Sequence, residues 1–174
     1  MKKLSLNLSS LIIIILLTFS FSYSDEKNIA KGKVIVIDGD TIKINGERIR
    51  FGGIDAPETN YQGKKQPCYL NEIKVFCGKL STDKLKEKIG NGFVYCVREK
   101  NKDRNGRTIA ECFINDESLS KYMVKAGYAF DFARYSKKKY LKDEVYAKIN
   151  KQGLWNMKFE YPWEWRKKIR EANK

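Results

Sequence analysis

Within 21 residues the chain sets two acids at one end, Asp38 and Asp40, two at the other, Asp55 and Glu58, and places Arg50 between them. These are poor materials for a hydrophobic core. Carboxylate oxygens suit a hard metal ion. A guanidinium is a planar, permanently charged donor that matches a phosphate. Together they suit an oxygen-ligand metal site that works on a phosphate ester. The chain has no histidine, which excludes imidazole bases, imidazole metal ligands and every hydrolytic mechanism that depends on them. Hydrolysis of a phosphate ester by this chain must use carboxylates, arginines and a hard metal ion.

These residues need elements to position them. Thr41 to Ile44 and Glu47 to Phe51 alternate in their apolar positions, the pattern of half-buried strands. Between them stands Asn45-Gly46, whose tolerance of positive φ suits a two-residue type I′ turn. Such a turn pairs Ile44 with Glu47, Ile42 with Ile49 and Thr41 with Arg50. Arg50 then arrives one residue from Asp40. Strict alternation would put the two on opposite faces, so Asp40 must sit at a strand end or a bulge.

Further along, Lys31 to Ile37 reads as a first strand and Gly52-Gly53 leads into Asp55-Ala56-Pro57-Glu58. Residues 59–76 show no period and read as a long loop. Gly78 to Ile89 has helical spacing, with Ser81, Thr82 or Asp83 near its cap. Asn115 to Ser118 can cap a second helix through Ala126, and Lys137 to Lys151 reads as a third. Pro162 is placed to start a short last helix through Arg170.

The first 24 residues differ in kind. Lys2 and Lys3 precede an apolar run from Leu11 to Leu17, and Ser22-Tyr23-Ser24 offers small residues before Asp25. This is the pattern of a secretory signal peptide over residues 1–24, cut after Ser24; an uncleaved membrane anchor is the other reading. Residues 25–174 form one domain with a core of about 31–155, expected to be exported to the periplasm or the medium. Without Lys2 and Lys3, 33 basic residues face 21 acidic ones, a net charge of +12. That balance favours polyanions. The four cysteines fit no short zinc-type pairs, so an exported chain should hold them as disulfides. An antiparallel pair turning near residue 104 puts Cys96 opposite Cys112, which leaves Cys68 with Cys77.

Ile37-Asp38-Gly39-Asp40-Thr41, then Arg50 with Asp55, Pro57 and Glu58, then Asp103-Arg104-Asn105-Gly106-Arg107, closely resemble the staphylococcal nuclease family. The likeness runs from about Lys31 to Trp155. It implies an α+β fold that is mainly β: a five-stranded OB-type barrel with three helices, to which this chain adds a short C-terminal helical extension. It implies Ca²⁺ held by Asp40, Asp55 and the carbonyl of Thr41, with Asp38 behind them. Glu58 would orient or deprotonate the attacking water, and Arg50 and Arg107 would bind the phosphate. Tyr135 matches a substrate-binding tyrosine, though its residue type equally fits a core or rim aromatic. Asn105 and Ala133 stand where the family has tyrosines, so base preference should differ.

The resulting expectation is an exported, Ca²⁺-dependent nuclease. It would act as a monomer on DNA and RNA with little sequence preference, leave 3′-phosphate ends and keep no stable membrane association. The rival is a non-catalytic OB-type nucleic-acid-binding module. A third reading is a disulfide-stabilised protein that binds anionic surfaces through its lysines.

Overall fold

The computed structural model describes residues 28–173. The leader expected over residues 1–24 and its cleavage point lie outside the described residues. β1 (Ile29–Gly32) and β2 (Val34–Asp38) are separated by Lys33 alone. They are followed by β3 (Thr41–Ile44), β4 (Glu47–Phe51), β5 (Ile54–Asp55), β6 (Pro67–Leu70), β7 (Ile73–Phe76) and helix α1 (Cys77–Ile89). Next come β8 (Val94–Lys102), β9 (Thr108–Ile114), β10 (Glu117–Ser118), α2 (Leu119–Lys125), β11 (Phe130–Asp131) and the single turn α3 (Ala133–Ser136). Helix α4 (Leu141–Ile149), a 3₁₀ turn (Gly153–Asn156) and α5 (Pro162–Ala172) complete the described chain.

The main sheet runs β1-β8-β9-β4-β3-β2, with β10 added to β9. Its two terminal strands are thus consecutive in the chain and one residue apart. Such a sheet must curl to bring those ends near each other, and it forms a half-barrel. The expected strand over Lys31 to Ile37 is therefore two strands with different partners, β8 for the first and β3 for the second. Seven strands make up the main sheet; the expected five merged β1 with β2 and left out the two-residue β10. Five α-helices are described, of which α1, α2 and α4 answer to the expected three and α5 to the extension.

The β3–β4 register is the one its turn dictates: Ile44 with Glu47, Ile42 with Ile49, Thr41 with Arg50. Asn45 and Gly46 carry φ of 48° and 88°. Ile42, Ile44, Ile49 and Phe51 face inward and are buried with Val94, Ala110 and Ile114 of β8 and β9. Leu85 and Ile89 of α1 and Leu119, Met123 and Val124 of α2 close the other side of this core. Among the described residues no helix is long and apolar enough to cross a membrane.

Both disulfides form as expected. Cys96 and Cys112 are direct partners in the β8–β9 ladder, and Cys68–Cys77 joins β6 to the start of α1. A closed loop of about 15 residues stabilises a fold by roughly 3 kcal/mol in the chain-entropy account.

Three expectations need correction. Residues 59–76 are not one loop, because β6 and β7 form a hairpin there. Its turn is Asn71-Glu72, both at positive φ without a glycine, so the usual signal is absent. Helix α1 starts before Ser81 and Thr82, which lie buried mid-helix. Their hydroxyls donate to the carbonyls of Tyr128 and Gly78 instead of capping. The helix expected from Lys137 begins only at Leu141, because Lys137 and Lys138 are left-handed, with φ of 53° and 66°.

Candidate active site

The site forms where β3 begins and β4 and β5 end. Asp40 lies in the turn that leads into β3, with a register slip between Val36 and Asp38 on the strand before it. This relaxes the alternation, and Asp40 comes to the same side as Arg50. Arg50 Nη1 donates to Asp40 Oδ1 at 3.0 Å. Its Nη2 lies 2.9 Å from Asp40 Oδ2 and 2.6 Å from Asp55 Oδ1. One guanidinium therefore clasps two acids from separate turns. Asp40 also accepts from the Thr41 hydroxyl at 2.8 Å and from the Ala56 amide at 3.0 Å, which ties the Asp55–Glu58 segment to the head of β3.

Asp55 is 0% exposed. It is held in place because β5 pairs with β11, Asp55 opposite Phe130. A second guanidinium reaches it from far away in the sequence. Arg166 of α5 places Nη2 2.6 Å from Asp55 Oδ2, Nη1 3.2 Å from Asp55 Oδ1, and the same Nη1 2.5 Å from Glu58 Oε1. Sequence reasoning missed Arg166. It also missed Gln66, whose fully buried amide organises the Glu58 segment. Gln66 accepts from the Glu58 amide at 3.1 Å and its own amide donates back to the Glu58 carbonyl at 3.2 Å. Its side chain donates to the Glu160 carbonyl at 2.8 Å. Beneath it, Gly78 is a required glycine, since a Cβ there would stand 2.2 Å from the Glu58 carbonyl oxygen.

The electrostatics follow from crowding acids away from water. Burial pushes the Asp38 carboxyl up to about 7, helped by the nearby charges of Asp40 and Glu58. Burial raises Glu58 as well, against the opposing pull of Arg166. Asp55 is pushed upward by burial while Arg166 and Arg50 favour its ionised form. Burial works against the charge on Arg166, but Asp55 and Glu58 outweigh it and its proton is held more tightly than usual. Such opposed forces in one cleft are a mark of functional sites.

Other expected residues are placed differently. Arg107 immediately precedes β9 and its Nε donates to Asp103 Oδ2 at 2.6 Å, so its side chain is held within its own turn and not on the acids. Its backbone is nonetheless near, because Ile109, two residues or roughly 7 Å along the strand, is the parallel neighbour of Arg50. Tyr135 lies on α3, 63% exposed, with its ring 5.0 Å from Phe132. It is a rim aromatic and not part of the core. Phe132 in turn stacks on Trp163 of α5 at 5.1 Å.

The donor set can be tested against a calcium ion. Asp40 and Asp55 come close enough to share one nitrogen of Arg50, and so are close enough to share a cation. Thr41 opposite Arg50 lies between ladder bonds, since Phe51 donates to the Asp40 carbonyl, so its own carbonyl turns away from β4. Oxygen-only donors match Ca²⁺. Among the described residues no cluster of three or more acidic or cysteine side chains forms a ready-made cage. The residues fit the ion in chemistry, with guanidinium nitrogens against the oxygens that would hold it.

Residues 48–157 match the family model described as staphylococcal nuclease homologue, and the chain belongs to that family. It is 32% identical over 133 residues to the succinoglycan biosynthesis protein ExoI of Rhizobium meliloti, covering 75% of this chain and 66% of the relative. It is 31% identical to the staphylococcal-like nuclease CAN1 of Arabidopsis thaliana, covering 83% of this chain and 41% of the relative. A probable staphylococcal-like nuclease, CAN3 of Oryza sativa subsp. japonica, is 30% identical, with 80% and 34% covered. The chain thus spans from about a third to just under two thirds of these relatives' length.

Proposed function

We propose that this protein is a nuclease that hydrolyses the phosphodiester bonds of DNA and RNA with little sequence preference, using Ca²⁺. The observation that carries the reading is the clasp of Asp40 and Asp55 by Arg50, with Glu58 at its edge. Family membership and the names of the plant relatives support it. So does a formal net charge of +14, which draws a polyanion toward the surface.

Asp40, Asp55 and the Thr41 carbonyl would hold the cation. Bound there, Ca²⁺ would neutralise the acids and polarise a phosphoryl oxygen. Glu58, at the mouth of the cluster, orients a water for in-line attack on phosphorus and accepts its proton. Arg50 donates to the phosphoryl oxygens, where negative charge grows as the water adds. Arg107, released from Asp103, does the same from the neighbouring strand. The bond from phosphorus to the 5′ oxygen then breaks and that oxygen takes a proton from water, leaving a 3′-phosphate and a 5′-hydroxyl. Tyr135, exposed on α3, offers a ring for a base to stack on. The two disulfides and the residues 1–24 leader pattern support an exported enzyme, which we read as a monomer free of the membrane.

Digestion of plasmid and single-stranded RNA with Ca²⁺, and again with chelator, tests the reading. Cleavage only with the metal, with 3′-phosphate ends, is the expected result; equal cleavage in both, or none in either, sinks it. One observation favours a non-catalytic binding module: all four oxygens of Asp40 and Asp55 already accept from this chain's own donors. A gel shift that survives chelator with no cut ends would select that module.

A further inference from the structure

Arg166 is the cation that the β-sheet does not supply. Arg50 is delivered to Asp40 by the register of one hairpin. Arg166 comes from a helix outside the family match at residues 48–157, and its contacts to Asp55 and Glu58 span 111 and 108 residues of chain. It grips Asp55 with both terminal nitrogens and reaches Glu58 with one of them. Its side chain is 11% exposed. Without it, Asp40 and Asp55 would share Arg50 alone, and Glu58 would lose the guanidinium it is paired with.

We propose that Arg166 is a tethered cation that competes with the divalent metal for the acid cluster, so that α5 sets the metal affinity of the chain. This rests on the reading of Asp40 and Asp55 as metal ligands. A guanidinium paired with both Asp55 oxygens stands against the donor atoms a metal would need, and its positive charge repels that metal. Metal entry therefore expels Arg166 from Asp55. The helix is built to allow it. Its firm anchors, the buried Trp165 and the Trp163 ring stacked on Phe132 and Tyr161, lie before Arg166. Beyond it, Lys168 with Glu160, Arg170 with Tyr61 and Asn173 with Gln62 meet only at exposed side chains, and such contacts hold weakly.

The test is calorimetric titration of the full chain with Ca²⁺ alone, without substrate, on four proteins at one ionic strength. Arg166→Gln should bind Ca²⁺ at least about tenfold more tightly than the parent, the scale set by close charge pairs. Arg166→Lys keeps the charge but loses the two-nitrogen grip and should fall between them. Lys167→Gln removes an equal charge from an exposed neighbour on α5 and should change affinity by less than about twofold, given screening. In the unmutated chain, saturating Ca²⁺ should speed amide exchange across residues 164–172, a measurement that stands even where Arg166→Gln folds poorly. Unchanged or weaker Ca²⁺ binding in Arg166→Gln, or unchanged exchange in α5, overturns the proposal. Metal-dependent cleavage with no gain in affinity defeats this inference and leaves the nuclease reading. A gain in affinity with no cleavage by any variant does the reverse.

Discussion

β4 carries a charge cluster at each end, and the two obey different rules. At its start, Glu47 meets Arg98 at 2.7 Å and the Thr108 hydroxyl at 2.7 Å. Both partners of this ion pair are partly exposed, and bonding to Arg98 holds the Glu47 carboxyl below its ordinary value. Three residues on, Arg50 serves two acids, and Asp55, Glu58 and Asp38 are all pushed upward because burial is the largest influence on each. The first cluster stabilises its own charges and needs nothing more. The second is short of positive charge and stays so unless a cation arrives. One strand thus shows how to separate a structural ion pair from a site that waits for a ligand.

The sharpest way to break this contrast is Arg50→Ala. It leaves Asp40 and Asp55 facing each other without their shared partner, which should cost about 3–5 kcal/mol in metal-free buffer. Cleavage should fall by about 10³-fold. Urea melts with and without Ca²⁺ and a plasmid nicking assay check both, and a wild-type melt in the metal-free arm would refute the account. Next in size, Glu58→Gln and Arg107→Ala should each lower cleavage by about 10²-fold with circular dichroism unchanged. For Arg107, a rate close to the parent's would mean that its bond to Asp103 persists with substrate bound.

The third prediction concerns pH. Asp38 rises from its ordinary 3.8 to about 7 in the folded chain. Between these values the folded state holds a proton that the unfolded state has lost. Its contribution to stability is therefore complete below about 3.8 and is lost as pH climbs through about 7. Glu58, raised for the same reason, has the same sign. Metal-free melts should weaken from pH 5 to pH 8, and Asp38→Asn should flatten that slope. The smallest effect belongs to the other end of β4. Glu47→Gln should cost no more than about 1 kcal/mol and leave nicking untouched; a large loss of rate would erase the contrast.

Much of the site was legible because it is local. Asn45-Gly46 fixes which residue faces Arg50, and that register, with the slip between Val36 and Asp38, brings Arg50 near Asp40. Cys96 and Cys112 were legible for the same reason, being opposite each other across one hairpin. The β6–β7 hairpin was not legible, since only Cys68 of its residues is buried and they show no regular apolar alternation. The start of α5 was readable from Pro162, but not its destination. Nothing in the order of residues says that a helix at 162–172 folds back on Asp55. Gln66 is hidden likewise: a polar residue in a featureless stretch reads as surface until the fold buries it between Glu58 and Glu160.

The Cys68–Cys77 bridge has a consequence for when the protein can work. Gln66, which seats Glu58, is bonded through its carbonyl to the amide of Cys77, so the cystine fastens the stretch that carries the proton acceptor. A chain still inside a reducing compartment lacks that fastening, and its Glu58 segment is held less firmly. On the proposed reading of an exported nuclease, oxidation outside that compartment would then arm the molecule where the cell's own genome is out of reach.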